Sequence, residues 1–161
     1  MNPSRNVLGD TRAPVPAAPP TVGQRRRMPM AGLPSPVARA RAFTAAALAD
    51  WPWLDPGQAD DTVLLVAELV ANAVLHADGP LELVLDASPA RLRIEVSDSS
   101  SVLPTPREPH RAGLPGGHGL FIVRRVADQW GAAPHSHGKS VWAEIDSRPA
   151  DQAPRQSADL P

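Results

Sequence analysis

Glu68, Asn72 and His76 stand four residues apart in the segment Asp61–Ala77, DTVLLVAELVANAVLHA. In a helix four residues advance the chain by one turn plus roughly 40°, so a carboxylate, a carboxamide and an imidazole fall on one narrow stripe. Together they supply a base, an oxygen ligand for a hard cation and a polar neighbour. The rest of the segment is apolar nearly all the way round, with Val63, Leu65, Val66, Leu69, Val70 and Val74 among its side chains and no Gly or Pro. A helix of that character belongs in an interior, yet an ionised Glu is seldom buried without a partner. The stripe must therefore meet either water along a solvated edge or a ligand in a cleft. Solvated stripes are more often filled by Lys, Arg and Glu, which favours the cleft. The apolar run is too short, and too interrupted by Glu68 and Asn72, to span a membrane.

A second carboxylate is placed by parity. Arg91–Asp98 alternates Leu92, Ile94 and Val96 with polar residues, and the two-residue strand period puts Asp98 on the apolar face. A carboxylate there needs hydrogen-bond donors. A ligand would provide them, but so would a turn through Ser99–Ser101 capped by the Asp, or a strand already frayed at its end. The third feature is Gly116-Gly117-His118-Gly119 running into a helix over Leu120–Trp130. Glycines at a helix start leave backbone N–H groups and the positive dipole end open to phosphate oxygens. His118 taken alone reads as an exposed loop residue. Two other phosphate-loop lookalikes fail. Gly138-Lys139-Ser140 ends like a Walker A loop, but Ala133 stands where its first glycine should be and a strand follows. Gly117-His118-Gly119 lacks the third glycine and the preceding strand of a dinucleotide fingerprint.

The elements that must position these groups follow from pattern and punctuation. Arg26–Met30 fits an edge strand. Ser35 and Pro36 open a helix as N-cap and first-turn proline, Val37, Ala40, Phe43, Ala47 and Leu48 give it an apolar face, and Trp51-Pro52-Trp53 ends it. The two tryptophans read as core seals. Asp78-Gly79-Pro80 is a turn; Leu81–Asp86 and Arg91–Asp98 form a hairpin across Ser88-Pro89. Ser99–Gly117 is a long Pro-rich segment without period, of the kind that forms a lid, a binding loop or a disordered stretch. Leu120, Val123, Val126, Ala127 and Trp130 are the buried side of the following helix, with Gly131 as its stop. Ser140–Ile145 is a final strand. The sum is an α+β fold, a two-layer sandwich with a mixed, mostly antiparallel sheet covered by helices on one face.

The 161 residues carry a net charge of −1 and contain no cysteine. One ordered domain over 25–146 is expected, with a Pro/Ala-rich disordered tail over 1–24 and another over 147–161. The balanced charge offers no basic field for nucleic acid. The missing cysteines remove disulfides, zinc ribbons and thiol catalysis. The first twenty residues lack the apolar core of a signal peptide, so a soluble, cytoplasmic protein is expected.

Glu68-Leu69-x-x-Asn72-Ala73-x-x-His76-Ala77, then Asp98, then Gly117-x-Gly119-Leu120, resembles the N, G1 and G2 boxes of the GHKL ATPases with their Bergerat fold. That superfamily includes gyrase and the sensor histidine kinases, and the likeness extends to its anti-sigma-factor serine kinase branch in actinobacteria. It covers about Pro36 to Asp146. The resemblance implies ATP and Mg²⁺ as cofactors: Asn72 would hold the metal, Asp98 would accept from the adenine amino group, and Gly117, Gly119 and Leu120 would offer backbone N–H groups to the phosphates beneath a lid over Pro104–Gly116. His76, His118 and Ser140 complete the implied nucleotide contacts. Glu68 would be the general base that orients a serine hydroxyl of a partner for phosphoryl transfer. The implied partners are an anti-anti-sigma protein of the STAS type and a sigma factor, with no direct nucleic acid or membrane contact; pairing of the chain with itself stays open.

Two departures from the family pattern stand out. Ser99-Ser100-Ser101 follow Asp98 where the fuller G1 box has glycines, and the last-strand threonine near adenine has no clean counterpart. Ser140 is the nearest hydroxyl, but parity puts Lys139, not Ser140, on the Val141 face. Three readings therefore stay open: an ATP-dependent serine kinase, a nucleotide-binding regulator that sequesters a partner without catalysis, and an interaction domain that has lost nucleotide.

Overall fold

The structure, a computed structural model, describes residues 23–51, 54–104 and 118–148. Trp53, most of both terminal tails, the loop beyond Pro104 and Gly117 lie outside the described residues. Eight elements follow one another: β1 (Gln24–Pro29), α1 (Pro36–Asp50), α2 (Pro56–His76), β2 (Pro80–Ala87), β3 (Arg91–Asp98), α3 (His118–Val126), β4 (Gln129–His135) and β5 (Gly138–Asp146). The strands make one sheet in the order β1-β2-β3-β5-β4. The α+β sandwich expected from sequence is present, and every described strand pair is antiparallel rather than mixed.

Register explains where the core sits. Met28, Leu83, Val96, Val141 and Ala132 lie side by side across the five strands, and the next row carries Leu85, Ile94, Ala143 and Trp130. These residues belong to or pack on the hydrophobic core, together with Leu65, Val66, Leu69 and Val70 of α2, Ala40, Ala47 and Leu48 of α1, and Val123 of α3. The opposite sheet face is charged, and its charges alternate along one row, Arg25-Asp86-Arg93-Glu144. Arg91 and Arg93 donate to the two oxygens of Glu144 at 2.7 and 2.8 Å, and the Arg93 guanidinium stacks 4.2 Å from the Trp142 ring centroid. The hydrogen bond from Arg93, aided by the charge of Arg91, holds the Glu144 carboxyl below the usual carboxylate range against the opposing effect of burial.

Several boundaries differ from expectation for local reasons. Asp55 caps α2, its side chain accepting the Gln58 N–H at 3.0 Å with Pro56 in the first turn. Asp-Pro-Gly, which also spells a turn, is here a helix start. α2 is apolar nearly all round but is not buried on every side, for Leu64, Val74 and Leu75 are exposed. Ser35 precedes α1 as expected but with a left-handed backbone and no side-chain cap bond. Trp51 is buried, its indole N–H donating to Gln24 and the Arg26 guanidinium lying 4.8 Å from its ring centroid, which ties α1 to the edge strand β1. α3 ends at Val126 instead of continuing to Trp130. Trp130 and Gly131 belong to β4, a strand not expected from sequence, where a side chain on Gly131 would meet the Trp142 ring at 2.8 Å.

At the start of β5 the chain crosses close over the end of β3. Gly138 has φ +146°, and a side-chain carbon there would sit 1.9 Å from the Asp98 carbonyl oxygen. Neither the backbone angle nor that gap admits another residue. Gly138→Ala is expected to lower stability by about 3 kcal/mol or more, read from urea unfolding; a loss under about 1 kcal/mol would show that the crossing relaxes.

Candidate functional site

α2 packs against both β3 and α3, and the polar stripe runs along α2. Glu68 and Asn72 are half-buried on α2. Neither side chain engages a hydrogen-bond or ion-pair partner among the described residues. His76 is the last helical residue and is exposed, so the stripe turns out to solvent there. α3 begins at His118, two residues earlier than expected, with Gly119 in its first turn and Leu120 half-buried behind it. Its N–H groups are those a phosphate would use.

Asp98 faces inward, as parity requires, and is 1 % exposed. Its donors come from the protein itself. Oδ1 accepts the Ser100 N–H at 2.8 Å and an N–H of the Lys139 ammonium at 2.9 Å. Lys139 is as deeply buried as Asp98 and stands directly opposite it in the β3–β5 register. The ammonium also reaches the Ser100 carbonyl at 3.5 Å. The capped serine turn, one of the readings open from sequence, is thus realised, and a lysine completes it. Ser140 falls opposite Ser97, on the other face of the sheet from Asp98 and Lys139, so the hydroxyl expected near the base does not share a face with Asp98.

Lys139 was legible only as a face assignment. A further signal lies in composition: it is the one lysine in the chain, every other basic side chain apart from histidine being arginine. An ammonium is a compact point charge on a flexible stem, suited to one carboxylate oxygen in a narrow space, where a planar guanidinium needs a broader partner.

The donor chemistry of these residues can be compared with what a metal–nucleotide complex requires. Asn72 is an oxygen ligand of the kind Mg²⁺ takes, one or two protein groups completed by phosphates and water. Among the described residues no group of three or more His, Asp or Glu side chains is placed to hold a metal without such help. At the base end Asp98 has an ionic partner and a backbone donor, both on Oδ1; a carboxylate has a second oxygen that can accept a further donor.

A family model described as "Histidine kinase-like ATPase domain" matches residues 30–145. No curated protein matches the chain.

The pair makes a measurable claim. Asp98→Asn and Lys139→Met are each expected to cost about 3 kcal/mol or more in urea unfolding. The double variant should lose less than the sum, with a coupling above about 1 kcal/mol. Strict additivity would mean that the two groups do not interact.

Proposed function

The chain belongs to the histidine kinase-like ATPase domain family, and from that premise we propose that it is an ATP-binding regulatory protein of the anti-sigma type that phosphorylates a serine of an anti-anti-sigma partner. Domains of this family bind ATP, usually with Mg²⁺. The observation that carries the proposal is the pair Glu68 and Asn72, one helical turn apart on α2, half-buried and unengaged by any described side chain. ATP would supply the γ-phosphoryl group. Asn72 would hold the metal on the phosphates, and Glu68 would accept the proton of the serine hydroxyl and aim its oxygen, positioning being the main contribution a protein makes to this class of reaction. The start of α3 would offer Gly119 and Leu120 N–H groups to the phosphate oxygens.

A second reading is favoured by a specific observation, the Lys139 ammonium on the carboxylate expected to read adenine. It is a nucleotide-binding regulator that sequesters its partner without transferring phosphate. No described helix is long and apolar enough to cross a membrane, and neither reading calls for one.

Capture of the partner from native cell extract with and without Mg-ATP, followed by transfer of labelled γ-phosphate to the captured protein, separates the two. Glu68→Gln should reduce transfer by about 10²–10⁴-fold and leave Mg-ATP affinity within about threefold. Affinity for Mg-ATP with no transfer by the wild type selects the sequestering regulator; equal transfer by Glu68→Gln removes Glu68 as the base.

A further inference from the structure

We propose that the outward ridge of α2 seats the phosphate-accepting segment of the partner, and that this segment carries aliphatic side chains on both sides of its serine with a lysine or arginine beyond one of them. The inference rests on the serine kinase reading above and names what that site takes as its acceptor.

α2 holds large apolar groups out in water. Leu64 is 40 % and Leu75 60 % exposed, and half-buried Ala71 lies between them. A helix turns about 100° per residue, which sets these three within about 40° of one another. On the same wheel Glu68 stands about 20° past Leu75, and Asn72 about 40° further. Thr62, Val66, Leu69 and Ala73 fill the opposite, buried side. The open side of α2 therefore has two lanes, one apolar and one polar, with Glu68 on their boundary. Glu68 decides what lies on the apolar lane. A base must come within hydrogen-bond reach of the proton it takes, so an acceptor serine brings its own chain along this ridge. In the transfer the serine Oγ–phosphorus bond forms, the bond from that phosphorus to ADP breaks, and the hydroxyl proton passes to Glu68.

Charge sets the two ends of the ridge apart. Asp60 and Asp61 are exposed toward the start of α2, and neither has an ion-pair partner among the described residues. At the other end exposed Val74 lines a groove of about 630 Å³ with Pro36, Val37 and Ala38 of α1, where the charged lining residue is Arg41. The first end calls for a cation, the second for an aliphatic group. Along the helix axis Leu64 lies about 6 Å and Asp60 about 12 Å from Glu68 on one side, and Leu75 about 10 Å away on the other. An extended chain covers about 3.3 Å per residue. The acceptor then has an aliphatic residue about two positions and a basic one about four positions from the serine on one side, and an aliphatic residue about three positions away on the other.

The test is transfer of labelled γ-phosphate from Mg-ATP, by the full chain, to a positional-scanning library of synthetic peptides centred on one serine. The wild type is expected to favour Leu, Ile or Val at the two inner positions and Lys or Arg at the outer one, each by about threefold or more. Leu64→Asp should turn the two-residue position from aliphatic to basic preference, and the double variant Asp60→Lys, Asp61→Lys should turn the outer position from basic to acidic. Lost folding cannot reverse a preference. Transfer by the wild type without these preferences, or preferences unmoved by the substitutions, would overturn the proposal with the kinase reading intact; the wild-type arm needs no variant to fold. No transfer to any peptide while the captured partner is phosphorylated overturns the proposal alone, and no transfer to either overturns it together with the kinase reading. A chain that is dimeric by light scattering and monomeric as Leu75→Asp, with peptide preference unchanged, puts a second copy on the ridge and also overturns it.

Discussion

The interior end of the sheet depends on one ion pair. Asp98 and Lys139 face each other across β3 and β5, both out of water, and the surroundings are shaped to keep them there. The serine turn after β3 lends its N–H to the same carboxylate oxygen. Gly138, immediately before the lysine, allows β5 to pass so close over the Asp98–Ser99 backbone that no side chain fits between. A buried pair of this kind need not add stability relative to an apolar replacement. What it does is make each charge intolerant of losing the other, which fixes both the register of β3 on β5 and the orientation of the carboxylate.

That constraint divides the site into two ends with different character. Along α2, Glu68 and Asn72 are half-open and without described partners, a state suited to groups that meet a ligand. On β3, Asp98 finds donors within the protein. The Lys139 ammonium and the Ser100 N–H share one oxygen of that carboxylate.

Much of this was legible in the sequence where a single periodicity decided the matter. The bounds of β3 follow from alternation of Leu92, Ile94 and Val96, and the inward face of Asp98 and of Lys139 from the same rule. Where two local signals competed, the reading failed at the margin: Asp55-Pro56-Gly57 spells both a turn and a capped helix start, and only packing of the first turn of α2 chooses between them. β4 was invisible because QWGAAPH has neither period nor β-branched residues; its strand conformation comes from pairing with β5 and from the room Gly131 leaves for Trp142. The ion pair was hidden for a related reason. Parity assigns each residue a face, but which residue on β5 stands opposite Asp98 is a property of register, and register is set by non-local packing.

Because Lys139 is the one lysine in the chain, its state can be read without ambiguity. Protein labelled with ¹⁵N-lysine, examined by proton–nitrogen correlation of the side-chain ammonium, should show one slowly exchanging NH₃⁺ signal that is absent from Lys139→Met and is undisturbed when Mg-ATP is added. An ammonium that exchanges as fast as free lysine, or a protected signal that is released on adding Mg-ATP, would show that Asp98 is available to the nucleotide, and the central claim would not stand.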